Sequence, residues 1–350
     1  MSTELKQKYR IAIIGGGSFG TAIANMVAEN GHRAVIWLRN TERAREINEE
    51  HFNSGYLPGC KLSERVTAST DLEAAVTGCQ LVFMCIPSSS SRDVARRLAK
   101  VIAPGALLIS TTKGIEAEGF HLMSQVLQEE IPNVRLGVMS GPNLAKEIAA
   151  RQLAGTVIAS EDAELVEVVQ KALHTPYFRV YGGEDLYGVE LAGALKNIYA
   201  IMAGMAAAMD LGQNTIGLLL TRALAEMSRF AVNMGANPLT FIGLAGVGDL
   251  IVTCMSPLSR NYRVGYALGE GKNLQQIVAE LGQVAEGVNT LKIVKHKADE
   301  LDVYMPLVQG LYAVIHGGES VAAVINSMMS AEQKGDVVFA IANNEAEAGL

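Results

Sequence analysis

Along its first half the chain alternates between short, continuously apolar runs and longer stretches whose apolar positions recur at helical spacing. The runs RIAII (10–14), AVIWL (34–38), LVFMCI (81–86), ALLIS (106–110), LGVM (136–139) and TVIAS (156–160) are mostly β-branched or apolar throughout. A strand covered on both faces reads this way, because it has no solvent side to keep polar. Between them lie helix-like segments such as TAIANMVAEN (21–30) and SRDVARRLAKVIA (91–103). The alternation predicts an α/β domain, a doubly wound parallel sheet with helices on both faces.

The pattern changes from about Glu190 onward. VELAGALKNIYAIMAGMAAAMDLG (189–212) reads as one long helix and NTIGLLLTRALAEMSRFAVNMGANP (214–238) as another. The second is expected to begin at an Asn214 cap and to stop at Gly235, with Pro238 beyond. Further helical segments follow around NLQQIVAELG (273–282) and VNTLKIVKHKADEL (288–301). The division predicts an α/β domain over 1–190 and an all-helical C-terminal domain over 191–345. The acidic ending ANNEAEAGL (342–350) is assigned nothing.

Composition narrows the classes. At 350 residues and 49% hydrophobic the chain can bury two cores, and a net charge of −7 leaves no basic stripe for nucleic acid. Cys60, Cys79, Cys85 and Cys254 have neither C-x-x-C nor zinc-like spacing, which predicts free buried thiols, no metal and a reducing, cytoplasmic setting. His51, His121, His174 and the other histidines show no partner at ligand or triad spacing. The polar start MSTELKQKYR does not read as a signal peptide. The most apolar later stretch, 198–209, is too short to span a bilayer, so no membrane insertion is expected.

The first chemical signal is the turn Gly15-Gly16-Gly17-Ser18-Phe19-Gly20 between the first strand and the first helix. In a G-x-G-x-x-G of that setting, Gly15 permits the turn and Gly17 lets a pyrophosphate approach the backbone. Gly20 lets helix and sheet pack closely, and the helix N-terminus offers unpaired N–H groups to phosphate. The same pattern also serves as a plain tight turn. The second strand ends IWLRN with no acid for a ribose 2′-hydroxyl. Arg39 there suits the 2′-phosphate of NADP, or is a solvated surface arginine.

Hydride transfer needs a proton donor or acceptor beside the reacting carbon. Lys196 has Ala192, Gly193, Tyr199 and Ala200 at helical neighbour positions, so it leaves a small apolar surface without an intrahelical acid. Desolvation there favours a neutral amine, although a lysine can also snorkel to water. Lys113, in STTKGIE, follows a strand at the edge where open sheets bind ligands. SGPNLAKEIA (140–149) places Gly141 and Asn143 after the next strand. LAGVGDLIVTC carries Asp249, and Ser259-Arg260-Asn261 follows Pro257. An arginine between a hydroxyl and an amide suits an anionic group such as phosphate, and equally a polar turn.

Taken in order, IGGGSFGTAIA, WLRN, TKGIE, SGPNLAKEIA, ELAGALKNIYAI, LAGVGDLIVTC, SRNYRVG and VAEGVNT resemble the bacterial-type NAD(P)-dependent glycerol-3-phosphate dehydrogenases over nearly the whole chain. The resemblance implies reversible reduction of dihydroxyacetone phosphate to sn-glycerol 3-phosphate with NADP or NAD, supplying phospholipid synthesis. It also implies a Rossmann domain, a helical domain like the C-terminal part of 6-phosphogluconate dehydrogenases, and a homodimer. Carried over by position, Ser18, Phe19, Arg39, Lys113, Ala145, Arg260, Val284 and Glu286 resemble cofactor contacts. Lys113, Gly141, Asn143, Lys196, Asp249, Ser259, Arg260 and Asn261 resemble substrate contacts. Lys196 matches the family's proton acceptor, and Lys113 resembles a group that polarises the same end of the substrate. Asn143 departs from the Ser or Thr common at its position, and an amide still donates and accepts. Two other readings stay open here: a hydroxyacid or ketopantoate-type reductase, and a non-catalytic dinucleotide sensor.

Overall fold

The computed structural model describes residues 8–281 and 285–330. Residues 1–7 of the polar start, Val284, the acidic ending and the 345 boundary lie outside the described residues. Eight strands form one sheet: β1 (Arg10–Ile14), β2 (Arg33–Trp37), β3 (Val66–Ser69), β4 (Leu81–Met84), β5 (Leu107–Ser110), β6 (Arg135–Ser140), β7 (Ala154–Ala159) and β8 (Phe178–Gly183). Across the sheet they run β8-β7-β6-β5-β4-β1-β2-β3. The strand order therefore reverses beside β1, the switch point outside which open α/β sheets bind ligands.

Side-chain alternation explains the continuous apolar runs. Ile11, Ile13, Ile36, Phe83 and Ile109 face one way, against Ile23 and Val27 of the helix Ser18–Glu29. Ala12, Ile14, Trp37, Val82, Met84 and Leu108 face the other way and are buried as well. The edge strands β3 (VTAS) and β8 (FRVYGG) escape the sequence pattern because each keeps an exposed side.

The expectation of a wholly parallel sheet needs one correction. β7 runs antiparallel to β6, with Val138 opposite Ala159 and Met139 opposite Ile158, and parallel to β8. A run buried on both faces looks the same in either direction, so composition carries no sign of the reversal.

The helical part is built on the 23-residue helix Leu186–Ala208, whose first turn is capped by Asp185 accepting from the Gly188 N–H at 2.8 Å. It extends beyond the 198–209 run on which the length argument rested and is long and apolar enough to cross a membrane. Here protein surrounds it: Leu195, Ile198, Tyr199 and Ile201 are fully buried with Met227, Phe230 and Phe241. The helix Gln213–Asn233 follows, and Gly212, not Asn214, holds its N-cap position. Gly235 stops it as expected, in the left-handed region at φ 89°. All four cysteines are free; Cys79 and Cys254 are buried, whereas Cys60 and Cys85 are only partly so.

Small residues let the central helix touch the helix Arg260–Gly269 backbone to backbone. A Cβ on Gly265 would lie 1.8 Å from the Ile201 carbonyl oxygen, and one on Gly204 2.0 Å from that of Tyr262. Gly265→Ala is therefore expected to destabilise the chain by about 1–3 kcal/mol or more. Gly217→Ala, in the helix Gln213–Asn233 with nothing within 4 Å of its added carbon, is expected to stabilise it. The gain should be about 0.5–1 kcal/mol. Urea midpoints of the two variants check both signs.

Candidate active site

The glycine turn lies where β1, β2 and β4 end. The Gly15 N–H donates to the Trp37 carbonyl at 2.9 Å, and a Cβ on Gly15, at φ 121°, would sit 2.3 Å from the Cys85 carbonyl oxygen. A Cβ on Gly20 would sit 2.2 Å from the Gly15 carbonyl oxygen, so the helix Ser18–Glu29 packs on the turn itself. Gly17 differs: nothing lies within 4 Å of a Cβ there, and no side chain caps the helix it opens. The fold itself demands Gly15 and Gly20, while Gly17 leaves an open cradle before uncapped N–H groups. That cradle fits a pyrophosphate.

Around it, Ser18 donates to the Tyr56 carbonyl at 3.0 Å, Phe19 packs on the sheet core and Arg39 is exposed just past β2. Ala145 opens the helix Ala145–Ala149 past β6.

Past the ends of β5 and β6 a second centre forms. Lys113 donates to Asp249 Oδ2 at 2.6 Å and to the Gly141 carbonyl at 3.1 Å. Lys196, on the central helix, donates to Asp249 Oδ1 and to Thr253 Oγ1, the latter at 2.8 Å. One carboxylate, 1% exposed, thus holds two ammonium groups. Asp249 and Thr253 lie one turn apart on the helix Asp249–Met255. Lys196 lacks an intrahelical acid, as its sequence neighbours predict, but the fold supplies one from another helix. Burial pulls its pKa well below the ordinary lysine value; Asp249 opposes that shift and Lys113 adds to it. Gly193 gives the Ser140 hydroxyl room, since a Cβ there would lie 2.6 Å from Ser140 Oγ, while the Lys113 stem would pass at an ordinary contact distance of 3.6 Å.

The remaining predicted residues divide. Asn143 donates to Thr156 Oγ1 at 2.9 Å, and Thr156 donates in turn to the Ser140 carbonyl at 3.0 Å, beside Gly141. Ser259 accepts from the Tyr262 N–H at 3.3 Å as the N-cap of the helix Arg260–Gly269. Asn261 donates to Asn197 Oδ1 at 2.9 Å and accepts from the Gly287 N–H at 3.0 Å, knitting three helices together. These structural bonds already engage the Ser259 and Asn261 side chains. Glu286 begins the helix Glu286–Glu300 and accepts from both the N–H and the hydroxyl of Ser88, each at 3.2 Å. Burial pushes its pKa up, while Ser88, Arg260 and Lys113 oppose the rise. Arg260 opens the helix Arg260–Gly269, and its charge and that of Lys113 are felt at the Glu286 carboxylate.

Sequence reasoning missed Thr253, Ser88, Ser140 and Thr156. Only Thr253 left a trace, at helical spacing from Asp249. It also missed two buried carboxylates that receive helix N-termini. Glu190 accepts from the Ser124 N–H at 2.9 Å, and Glu226 from the Leu307 N–H at 2.6 Å. Burial pushes each up to about 7.

Comparison with known proteins fits this geometry. The family description "NAD-dependent glycerol-3-phosphate dehydrogenase N-terminus" matches residues 10–166, and the corresponding C-terminus matches 185–326. The chain is 57% identical over 336 residues to a glycerol-3-phosphate dehydrogenase [NAD(P)+] of Pseudomonas fluorescens, covering 96% of this chain and 95% of that one. It is 58% identical over 337 residues to the same-named protein of Ectopseudomonas mendocina, covering 96% and 98%. The crystal structure of a glycerol-3-phosphate dehydrogenase from Coxiella burnetii superposes with a TM-score of 0.88 at 34% identity, covering 93% of this chain and 99% of that one.

The contrast between the glycines is testable. Gly20→Ala is expected to lower the melting temperature of the cofactor-free chain. Gly17→Val should leave that temperature unchanged and weaken NADPH and NADH binding by about tenfold or more, about 1.4 kcal/mol or more. Thermal melts with and without dinucleotide read both effects.

Proposed function

This chain belongs to the NAD-dependent glycerol-3-phosphate dehydrogenase family, and from that premise we propose which of its residues do the work. The enzyme is an NAD(P)-dependent oxidoreductase that interconverts dihydroxyacetone phosphate and sn-glycerol 3-phosphate, and so supplies glycerophospholipid synthesis. NADPH or NADH, when bound on the Gly15–Gly20 turn, supplies the hydride for C2 of the substrate.

Lys196 is the acid and base of the reaction. As C2 is reduced, negative charge grows on the carbonyl oxygen; the ammonium of Lys196 stabilises it and donates the proton. In the opposite direction the neutral amine takes the hydroxyl proton. The single observation behind this role is the burial of Lys196 against Asp249, which keeps both protonation states within reach. Lys113, on the other oxygen of Asp249, polarises and positions the same end of the substrate. Asp249 orients the two lysines.

Arg260 holds the substrate phosphate and reaches the cofactor, with Ser259 and Asn261 fixing the turn that carries it. Gly141 and Asn143 line the substrate side. Gly17, Ser18, Phe19, Arg39, Ala145 and Glu286 line the cofactor side. We place the change from dinucleotide domain to substrate domain at residue 190, and we propose a cytoplasmic homodimer. Free thiols support the first location. Exposed apolar residues such as Leu239 and Ile242 support a covered surface.

Loss of nicotinamide absorbance with purified protein and dihydroxyacetone phosphate, run with NADPH and NADH in parallel, tests the whole reading. Lys196→Ala is expected to lose about 10²–10⁴-fold in kcat or more while still binding cofactor. Turnover near that of the parent would remove Lys196 from the chemistry.

Oxidation of sn-glycerol 3-phosphate needs the neutral amine, so its rate rises with pH through the pKa of Lys196. Asp249 favours the ammonium, and Asp249→Asn is expected to move that rise to lower pH. Arg260→Ala should raise KM for dihydroxyacetone phosphate by about tenfold or more, as loss of a charged anion clamp does. An unchanged KM would take Arg260 out of substrate recognition.

A further inference from the structure

The loop that carries Lys113 is held from both sides. Upstream, the hydroxyls of Thr111 and Thr112 donate to the Met84 and Ile86 carbonyls at 2.8 Å each. Downstream, the chain forms a short antiparallel ribbon, Ile115–Glu116 with His121–Leu122, and Glu116 meets Arg92. Arg92 lies at the second position of the helix Ser91–Leu98. Its Nε donates to Glu116 Oε1 at 2.8 Å and its Nη2 to Glu116 Oε2 at 2.6 Å. The same guanidinium reaches Glu130 at 2.7 Å and Glu129 at 2.8 Å, both on the helix Met123–Glu130. His121, which sequence spacing left without a partner, stands 3.6 Å from Glu116 and from Glu129.

An isolated surface ion pair contributes little. This arrangement differs in two respects. The Arg92–Glu116 contact is bidentate, so it fixes direction as well as distance. Three carboxylates from two elements also converge on one planar fork, and without it they would repel one another. Arg92 holds the Glu116 and Glu130 carboxyls below the ordinary range, and its side chain is only 23% exposed.

The helix that carries Arg92 also begins directly after Ser88–Ser90. Ser88 binds Glu286, and a Cβ on Gly114 would lie 2.5 Å from the Cβ of Ser88. Arg92 therefore ties the loop after β4 to the loop after β5, the two that reach Glu286 and Lys113.

We infer that Arg92 is a positioning residue for Lys113: it clamps Glu116, and through it the loop 113–116, so that the ammonium stays on Asp249 and the Gly141 carbonyl. The inference rests on the reading of Lys113 as a substrate contact.

A double-mutant cycle tests it. Glu116→Gln leaves Arg92 anchored on Glu129 and Glu130. It should lower kcat/KM for dihydroxyacetone phosphate by about tenfold, mainly through KM, since a misplacement of about 1 Å can cost up to about 10²-fold. Lys113→Met should lose more. The double variant should be no worse than Lys113→Met alone, within about twofold. Arg92→Ala should recover activity in millimolar guanidinium chloride, and should not recover when combined with Lys113→Met. Penalties that multiply, or an unaffected Glu116→Gln beside a crippled Lys113→Met, would overturn the clamp. A Lys113→Met enzyme with the parent kcat/KM would instead overturn the reading of Lys113.

Discussion

Two ammonium groups do not settle into a site this dry without a counter-charge, and Asp249 supplies it with one oxygen for each lysine. Stripping one partner from a buried pair costs about 3–5 kcal/mol, because the group left behind stays desolvated and uncompensated. The carboxylate therefore does more than attract. It decides where both lysines stand, and it opposes the burial that would otherwise take the proton from Lys196. Reactivity and geometry at this centre share one cause.

Bringing the three groups together requires elements far apart in sequence to come very close. The central helix manages this with small residues where it is crossed. Gly204 and Gly265 let the helix Arg260–Gly269 lie backbone to backbone against it, and Gly193 opens room for the Ser140 hydroxyl beside the lysine centre. Asn261 then bonds the side chain of Asn197 and the N–H of Gly287, so the starts of two further helices are indexed to the residue beside Lys196. Packing sets the approach, and side-chain amides set the register.

The sheet contributes its strand ends. Gly15, Lys113 and Gly141 follow β1, β5 and β6, so dinucleotide cradle and lysine centre face the same edge. Ser88, after β4, meets Glu286 of the helical part, which joins that edge to the helices by two hydrogen bonds to one carboxylate. Glu190 joins them again by receiving the start of the helix Met123–Glu130. Buried acids at helix N-termini are satisfied by backbone N–H groups, which is why these carboxylates tolerate the interior.

The sequence by itself determined the elements and the chemistry on offer. Apolar runs fixed the central strands, Gly235 fixed a helix end, and the linked motifs from the glycine turn to SRNYRVG identified the family. The small surroundings of Lys196 already implied a desolvated amine. Only the tertiary structure decided the partners. Asp249 lies far along the chain from both lysines, and no local pattern pairs them. β3 and β8 went unread because an edge strand buries one face only, and the direction of β7 because burial on both faces is blind to polarity. Arg92 and Glu116 look like ordinary surface charges until folding places them together. Local periodicity records which face of an element is buried. What that face is buried against depends on contacts between residues far apart in the chain, and those exist only in three dimensions.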